Sequence, residues 1–259
     1  MSEPIKFNIE NQIARVTFNR PEQHNVISYD GWLKLIEIVN KIEKDSSIRS
    51  VVFSGGGEKA FSAGADIKDF ETHRRDSKTA KTYSTAFDGA LDAIEALSVP
   101  TISMIRGICV GGGCELSMAT DIRIASNRSR FGIPVAKLGI LVGYREMKRL
   151  VNLVGPGNAS YILLSGRLID SAEAFRMGLI TQLVEDSELE ETVLNLANEI
   201  TPLAPLSQER HKIILQNVIS NQSLDGLDQE LPYTNFDSAD FQEGKEAFIS
   251  RRPPNFKGR

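Results

Sequence analysis

The stretch VGGGCELSMATD, residues 110–121, is where the reading of this chain turns. Three glycines stand directly ahead of Cys114 and Glu115, and a small apolar run follows. A carboxylate near a helix N-terminus is favourable by itself. It does not require three glycines, each of which costs backbone entropy on folding. The triplet therefore predicts a helix start at which the backbone must come close to something.

Strand and helix patterns alternate on both sides of it. Upstream, TISMIRGICV (101–110) reads as one buried strand following the break at Pro100, and downstream DIRIAS (121–126) reads as another. Residues 13–18 form a strand with Ile13, Val16 and Phe18 apolar, RPEQHN (20–25) a turn, and IRSVVFSGGG (48–57) a buried strand ending in glycines. Helical spacing places Trp32, Leu35, Ile36, Val39 and Ile42 on one face of a helix over 29–43. A loop over 61–70 leads through a polar stretch to a helix from about 82 to 97, with Phe87, Leu91, Ile94 and Leu97 on one face; a further helix covers roughly 145–154. This alternation predicts an α/β fold through about residue 185. From Glu188 onward only helical patterns remain, punctuated by Pro202, Pro205 and Pro232. The expected division is a core over 1–186 and a helical region over 187–259.

The composition narrows the function classes. The 259 residues are 41% hydrophobic and 25% charged with a formal net charge of -4, which argues against a broad nucleic-acid-binding face but leaves room for a local basic pocket. MSEPIKFNIE does not have the pattern of a signal or transit peptide, and no apolar run reaches the length of a membrane span. Cys109 and Cys114 match no zinc spacing and are too few for a disulfide framework, so reduced thiols and a cytoplasmic location are expected. No phosphate-binding loop, dinucleotide fingerprint, H-E-x-x-H or G-x-S-x-G motif is present, and His24, His73 and His211 are scattered positions expected at the surface.

A second small-residue segment, KAFSAGADIKDF (59–70), also follows a buried strand. One exposed backbone N–H from each segment could point at a single oxygen, with the positive end of the triplet's helix behind it. That is the geometry of an oxyanion hole, which needs small residues because side chains would block a carbonyl. Two tight turns packed for structural reasons alone fit the same pattern.

Several ordered motifs extend the reading. FNRPEQHNVIS (18–28), AFSAGADIKDF (60–70), GICVGGGCELSMATDIRIAS (107–126), FGIPVAKLGI (131–140), LLSGRLIDSAEAFRMGLITQLV (163–184) and EGKEAFISRRPPNFKGR (243–259) resemble the crotonase family, the enoyl-CoA hydratase/isomerase superfamily, over nearly the whole chain. The resemblance implies a spiral of β-β-α units with a C-terminal helical region, assembled as a homotrimer or hexamer. It implies that the N–H groups of Ala65 and Gly112 hold a thioester oxygen as an enolate forms, and that Glu115 is a catalytic carboxyl. It further implies that Ala65, Asp66, Ile67 and Lys68 line the coenzyme A site, with Lys257 approaching CoA phosphates and Phe256 flanking them. The implied partner is a small acyl-CoA, with no metal, no nucleic acid, no membrane, and no cofactor beyond the CoA of the substrate.

The chain departs from this pattern at one telling place. Family hydratases carry a second glutamate in a motif like FGxPE, whereas FGIPVAKLGIL has Val135 there. A valine cannot transfer a proton, and a general acid or base is typically worth about 10²–10⁴-fold. The next turn, VGYREMKRL (142–150), brings in Tyr144, Arg145 and Glu146. Arg145 could pair with a substrate carboxylate through two parallel hydrogen bonds, and Glu146 could replace the lost acid, although both also fit an exposed helix start. The expected activity is hydration or double-bond isomerisation of an enoyl-CoA, poor on a short unsubstituted chain. The alternatives are decarboxylation or hydrolysis of a carboxylated acyl-CoA using Arg145, and a CoA-binding protein with little catalysis. The retained small-residue segments together with Glu115 favour an enzyme.

Overall fold

A computed structural model describes residues 3–220 and 224–259. The chain opens with an antiparallel hairpin of β1 (Ile5–Glu10) and β2 (Ile13–Phe18). Its turn residues, Asn11 and Gln12, both have positive φ, the conformation that suits the twist of a tight hairpin. β1 was not foreseen from the sequence: Ile5, Phe7 and Ile9 alternate, but only Ile5 is buried. α1 (Tyr29–Lys44) follows, capped by Ser28, whose hydroxyl oxygen accepts from the Gly31 N–H.

A repeating unit then winds through the molecule. β3 (Ser50–Gly55) and β4 (Ala60–Ser62) are followed by the short α2 (Phe70–His73) and by α3 (Ser77–Glu95). β5 (Thr101–Ile105) and β6 (Ile108–Val110) lead to α4 (Gly112–Met118), and β7 (Ile122–Ser126) and β8 (Arg130–Gly132) lead to α5 (Tyr144–Ser165). β9 (Ile169–Asp170), α6 (Ser171–Met177) and β10 (Gln182–Val184) close the spiral; α7 (Leu189–Ile200), α8 (Pro205–Ser220), α9 (Gly226–Thr234) and α10 (Ala239–Ser250) complete the chain. The first strand of each unit enters a six-stranded sheet of order β1-β2-β3-β5-β7-β10, and the second enters a four-stranded sheet of order β4-β6-β8-β9. The β1–β2 and β8–β9 pairs are antiparallel and the rest are parallel. This is the α/β spiral expected from the sequence.

Three local readings change. TISMIRGICV is two strands in different sheets, not one, because Gly107 takes φ +69 and turns the chain a corner. A side chain there would overlap the Lys59 carbonyl. α3 begins at Ser77, before the apolar stripe, because Asp76 and Thr79 form a reciprocal capping box. α5 runs on to Ser165, interrupted at Gly155 (φ 73), where the sequence reading had it end.

Both faces of the large sheet are covered. Trp32, Leu35, Phe53, Phe61, Tyr83, Leu91 and Phe131 belong to the main core, and Ile13, Val52, Ile102 and Ile124 pack with Leu189, Val193, Ala197 and Ile200 of α7. That explains the continuous apolar run of β3, which alternation alone would not produce. Cys109 and Cys114 are free and buried. Among the described residues no helix is long and apolar enough to cross a membrane.

Gly107→Ala should lower the unfolding free energy by more than about 1 kcal/mol, since positive φ and close backbone both oppose a Cβ. Urea denaturation checks this: the midpoint should fall while the slope stays unchanged.

Candidate active site

Each glycine of the triplet has its own reason. Gly111 caps α4 with φ 51 and ψ -131, a conformation suited to glycine. A Cβ on Gly112 would stand 3.2 Å from Phe87 Cε2 and 3.4 Å from the Ala65 nitrogen. A Cβ on Gly113 would strike the Ser62 carbonyl, and one on Gly64 (φ +87) would come within 2.6 Å of the Gly112 nitrogen. The 62–65 segment and the start of α4 are thus in backbone contact.

Hydrogen bonds fix this contact. Ser62 Oγ donates to the Asn25 carbonyl (2.8 Å) and accepts from the Gly64 N–H (3.0 Å). The Ile27 N–H donates to the Gly64 carbonyl (2.8 Å) and the Asp66 N–H to the Ile27 carbonyl (2.9 Å). Between them the Ala65 N–H has no acceptor among the described residues, and neither does the Gly112 N–H, an orphan donor at the first position of α4.

Both groups line a cavity of about 340 Å³. Its walls are largely apolar, with Phe87 from α3 and Val135, Leu138 and Val142 from the segment before α5. Tyr83 is anchored by the Trp32 indole N–H (2.8 Å), and burial pushes its phenol up to about 12, so it stays protonated. The Glu115 carboxyl also lines the cavity; the residue is buried and its side chain has no hydrogen-bond partner among the described residues. Burial first, then the negative charge of Glu146, pushes it up to about 8. Asp88 and Glu146 line the same space, as does Arg74, whose guanidinium stands 4.5 Å from the Tyr83 ring centroid and 5.2 Å from that of Phe70.

Of the residues singled out from sequence, Ala65, Ile67, Gly112, Glu115, Val135 and Glu146 come together here. Asp66 instead pairs with Arg20 (2.9 Å), and Lys68 is exposed; neither lines the cavity. The expectation for Arg145 needs correction. Its side chain is 61% exposed, is ion-paired with Asp92, and does not line the cavity. Successive helical residues point about 100° apart, so Glu146 faces inward and Arg145 cannot. Tyr144 is exposed as well. Phe256 and Lys257 lie against α10 and Arg49: the Lys257 N–H donates to Asp240 (2.8 Å), and the Phe256 carbonyl accepts from Arg49 (3.1 Å). Within one chain they do not reach the cavity. Sequence reasoning missed Arg74, Tyr83 and Asp88, which lie in a polar stretch and on a helix whose apolar spacing alone was legible.

Two N–H groups without an acceptor among the described residues and a buried carboxyl line one cavity on a β-β-α spiral, the fold of the crotonase enzymes. The chain belongs to the enoyl-CoA hydratase/isomerase family, whose sequence profile matches residues 8–259. It is 34% identical to a short-chain-enoyl-CoA hydratase of Clostridium acetobutylicum, over 96% of each chain. It is 33% identical to the (E)-benzylidenesuccinyl-CoA hydratase of Thauera aromatica, over 98% of this chain and 99% of that one. A crystal structure of an enoyl-CoA hydratase/carnithine racemase from Magnetospirillum magneticum superposes with a TM-score of 0.96 at 35% identity, over 100% of this chain and 97% of that one.

The raised value of Glu115 has a consequence for stability. The folded protein binds this proton more tightly than the unfolded chain, so stability falls as pH rises from 4.5 towards about 8. Glu115→Gln, which cannot ionise, should remove that fall. Urea midpoints of both proteins across this range should therefore diverge in favour of the variant as pH rises.

Proposed function

We propose that the protein hydrates a short α,β-unsaturated acyl-CoA, in line with its relative named a short-chain-enoyl-CoA hydratase and in place of the poor short-chain activity expected from Val135 alone. The observation that carries this reading is the convergence of the free Ala65 and Gly112 N–H groups with the Glu115 carboxyl in one cavity. As water adds to the β-carbon, negative charge develops on the thioester oxygen. The two N–H groups donate hydrogen bonds to that oxygen from fixed positions in a largely apolar cavity, where such donors are worth most. Glu115 holds its proton near neutral pH and delivers it to the α-carbon, turning the enolate into the hydroxyacyl product. The segment from Ala65 to Lys68 lies at the CoA end. Lys257 and Phe256 lie away from the cavity within one chain, and in this reading they reach CoA in the assembled protein.

The same reading includes a homotrimer or hexamer. α8 has no buried residue, and Leu215, Val218, Phe248 and Ile249 are exposed on the C-terminal helices. Light scattering should report a mass of three or six chains at micromolar concentration, and a monomer would count against the assembly.

Crotonyl-CoA tests the chemistry. Glu115→Gln keeps the shape of the side chain and should lower kcat by about 10²–10⁴-fold. Gly112→Val should also suppress turnover, because its side chain fills the space beside the Ala65 nitrogen. Full turnover by either folded variant would overturn the assignment.

A further inference from the structure

Glu146 occupies a position the fold takes trouble to provide. A Cβ on Gly143, the residue that caps α5, would overlap Glu146 Oε2. The Glu146 side chain is only 4% exposed, and its Oε1 has no hydrogen-bond partner among the described residues. The nearest cation, Arg149 Nη1, lies 3.6 Å away and is itself unbonded. Nη2 of Arg149 is held by Asp92 (2.7 Å) and Glu95 (2.6 Å). Asp88, on α3, lines the same cavity as Glu146, and the two carboxyls interact there. Two neighbouring carboxyls resist ionising together. Burial and the facing Glu146 charge accordingly push Asp88 up to about 6. A buried carboxyl oxygen without a partner is costly, so an apolar cavity would not retain one for packing.

Hydration moves two protons, one from the attacking water and one to the α-carbon, and Val135 supplies no second acid or base. Resting on the hydratase reading above, we propose that the Asp88–Glu146 pair is the second proton-handling group of this site and accepts the proton of the attacking water. The water oxygen bonds to the β-carbon as one of its O–H bonds breaks towards the pair. The π electrons pass to the thioester enolate, and Glu115 then protonates the α-carbon. Glu115 is left anionic and the pair holds one proton more than before; return of that proton from the pair to Glu115 restores the starting state. One water has been added and no other reagent is used. The charged groups around this centre are Glu115 from α4 and Arg74 after α2 in the cavity, Arg149 on α5 behind Glu146, and the Asp92–Arg145 pair on the outer side of Asp88.

Two reactions separate the pair from Glu115: hydration of crotonyl-CoA, and exchange of the α-hydrogens of butyryl-CoA in deuterium oxide, which needs the Glu115 carboxylate but no attacking water. Glu146→Gln should lower hydration kcat by about 10²-fold or more, and exchange by much less. The rising limb of the exchange pH profile should move to lower pH, because the negative charge that raises Glu115 is gone. Asp88→Asn should lower hydration in the same direction, and it carries the test if Glu146→Gln does not fold. Adding Val135→Glu to Glu146→Gln should recover hydration, since it returns a carboxyl to the same cavity. Wild-type hydration by both single variants, or equal loss of both reactions with an unshifted pH limb, would overturn the proposal. Retention of exchange by Glu115→Gln would overturn the underlying hydratase reading instead.

Discussion

The close approach of two backbone segments, residues 62–65 and the first turn of α4, is the constraint on which the rest of the site depends. A Cβ on Gly64 or Gly113 would drive them apart. The parallel pairing of β4 with β6 delivers both segments to the same edge, and the corner at Gly107 lets β6 leave the large sheet to make that pairing. α4 is buried along its whole length, so its far end must also be satisfied internally. Arg123 contributes to this: its Nη1 donates to the Ser117 carbonyl of α4 (3.5 Å) and to the Thr120 carbonyl just beyond it (2.5 Å). Burial lowers Arg123 to about 10, which still leaves it charged near neutral pH.

The cavity that opens at this contact is acidic inside an apolar wall. Glu115, Asp88 and Glu146 line it, and the one cation among its lining residues is Arg74. Carboxyls crowded in such a place resist ionising together, as the upward shifts of Glu115 and Asp88 reflect. Arg149 stands behind Glu146 and is held by Asp92 and Glu95, which keeps a positive charge close without placing it in the cavity. The outer Arg145–Asp92 pair is exposed, and such pairs contribute at most about 1 kcal/mol. Its chief consequence is to keep Arg145 on the outside, which removes the residue on which decarboxylation or hydrolysis of a carboxylated acyl-CoA had rested.

Much of this was legible in the sequence because it depends on local chemistry. Glycine at positions 64 and 111–113 marks backbone that no side chain can approach. The apolar spacings of α1 and α3 mark buried faces, and the run through β3 marks a strand covered on both sides. Glu115 follows the triplet directly, so its place at the start of a buried helix came with it. The absence of a carboxyl at 135 could likewise be read directly, and the structure puts that valine on the cavity wall.

What only the tertiary structure decided is which polar residues meet. Asp88 lies on an amphipathic helix as one acid among exposed neighbours, and it meets Glu146 because the packing of α3 and α5 brings the two helices together across 58 positions of chain. Arg145 and Glu146 are adjacent in sequence and look equivalent there, yet the helical rotation between them sends one to the surface and the other into the cavity. The division of TISMIRGICV between two sheets was hidden for a similar reason, since β5 and β6 are both apolar and only the pairing partners distinguish them. Sequence fixes residue type and period along the chain, whereas the direction of a side chain at a helix start and its partner across a cavity depend on how distant elements dock.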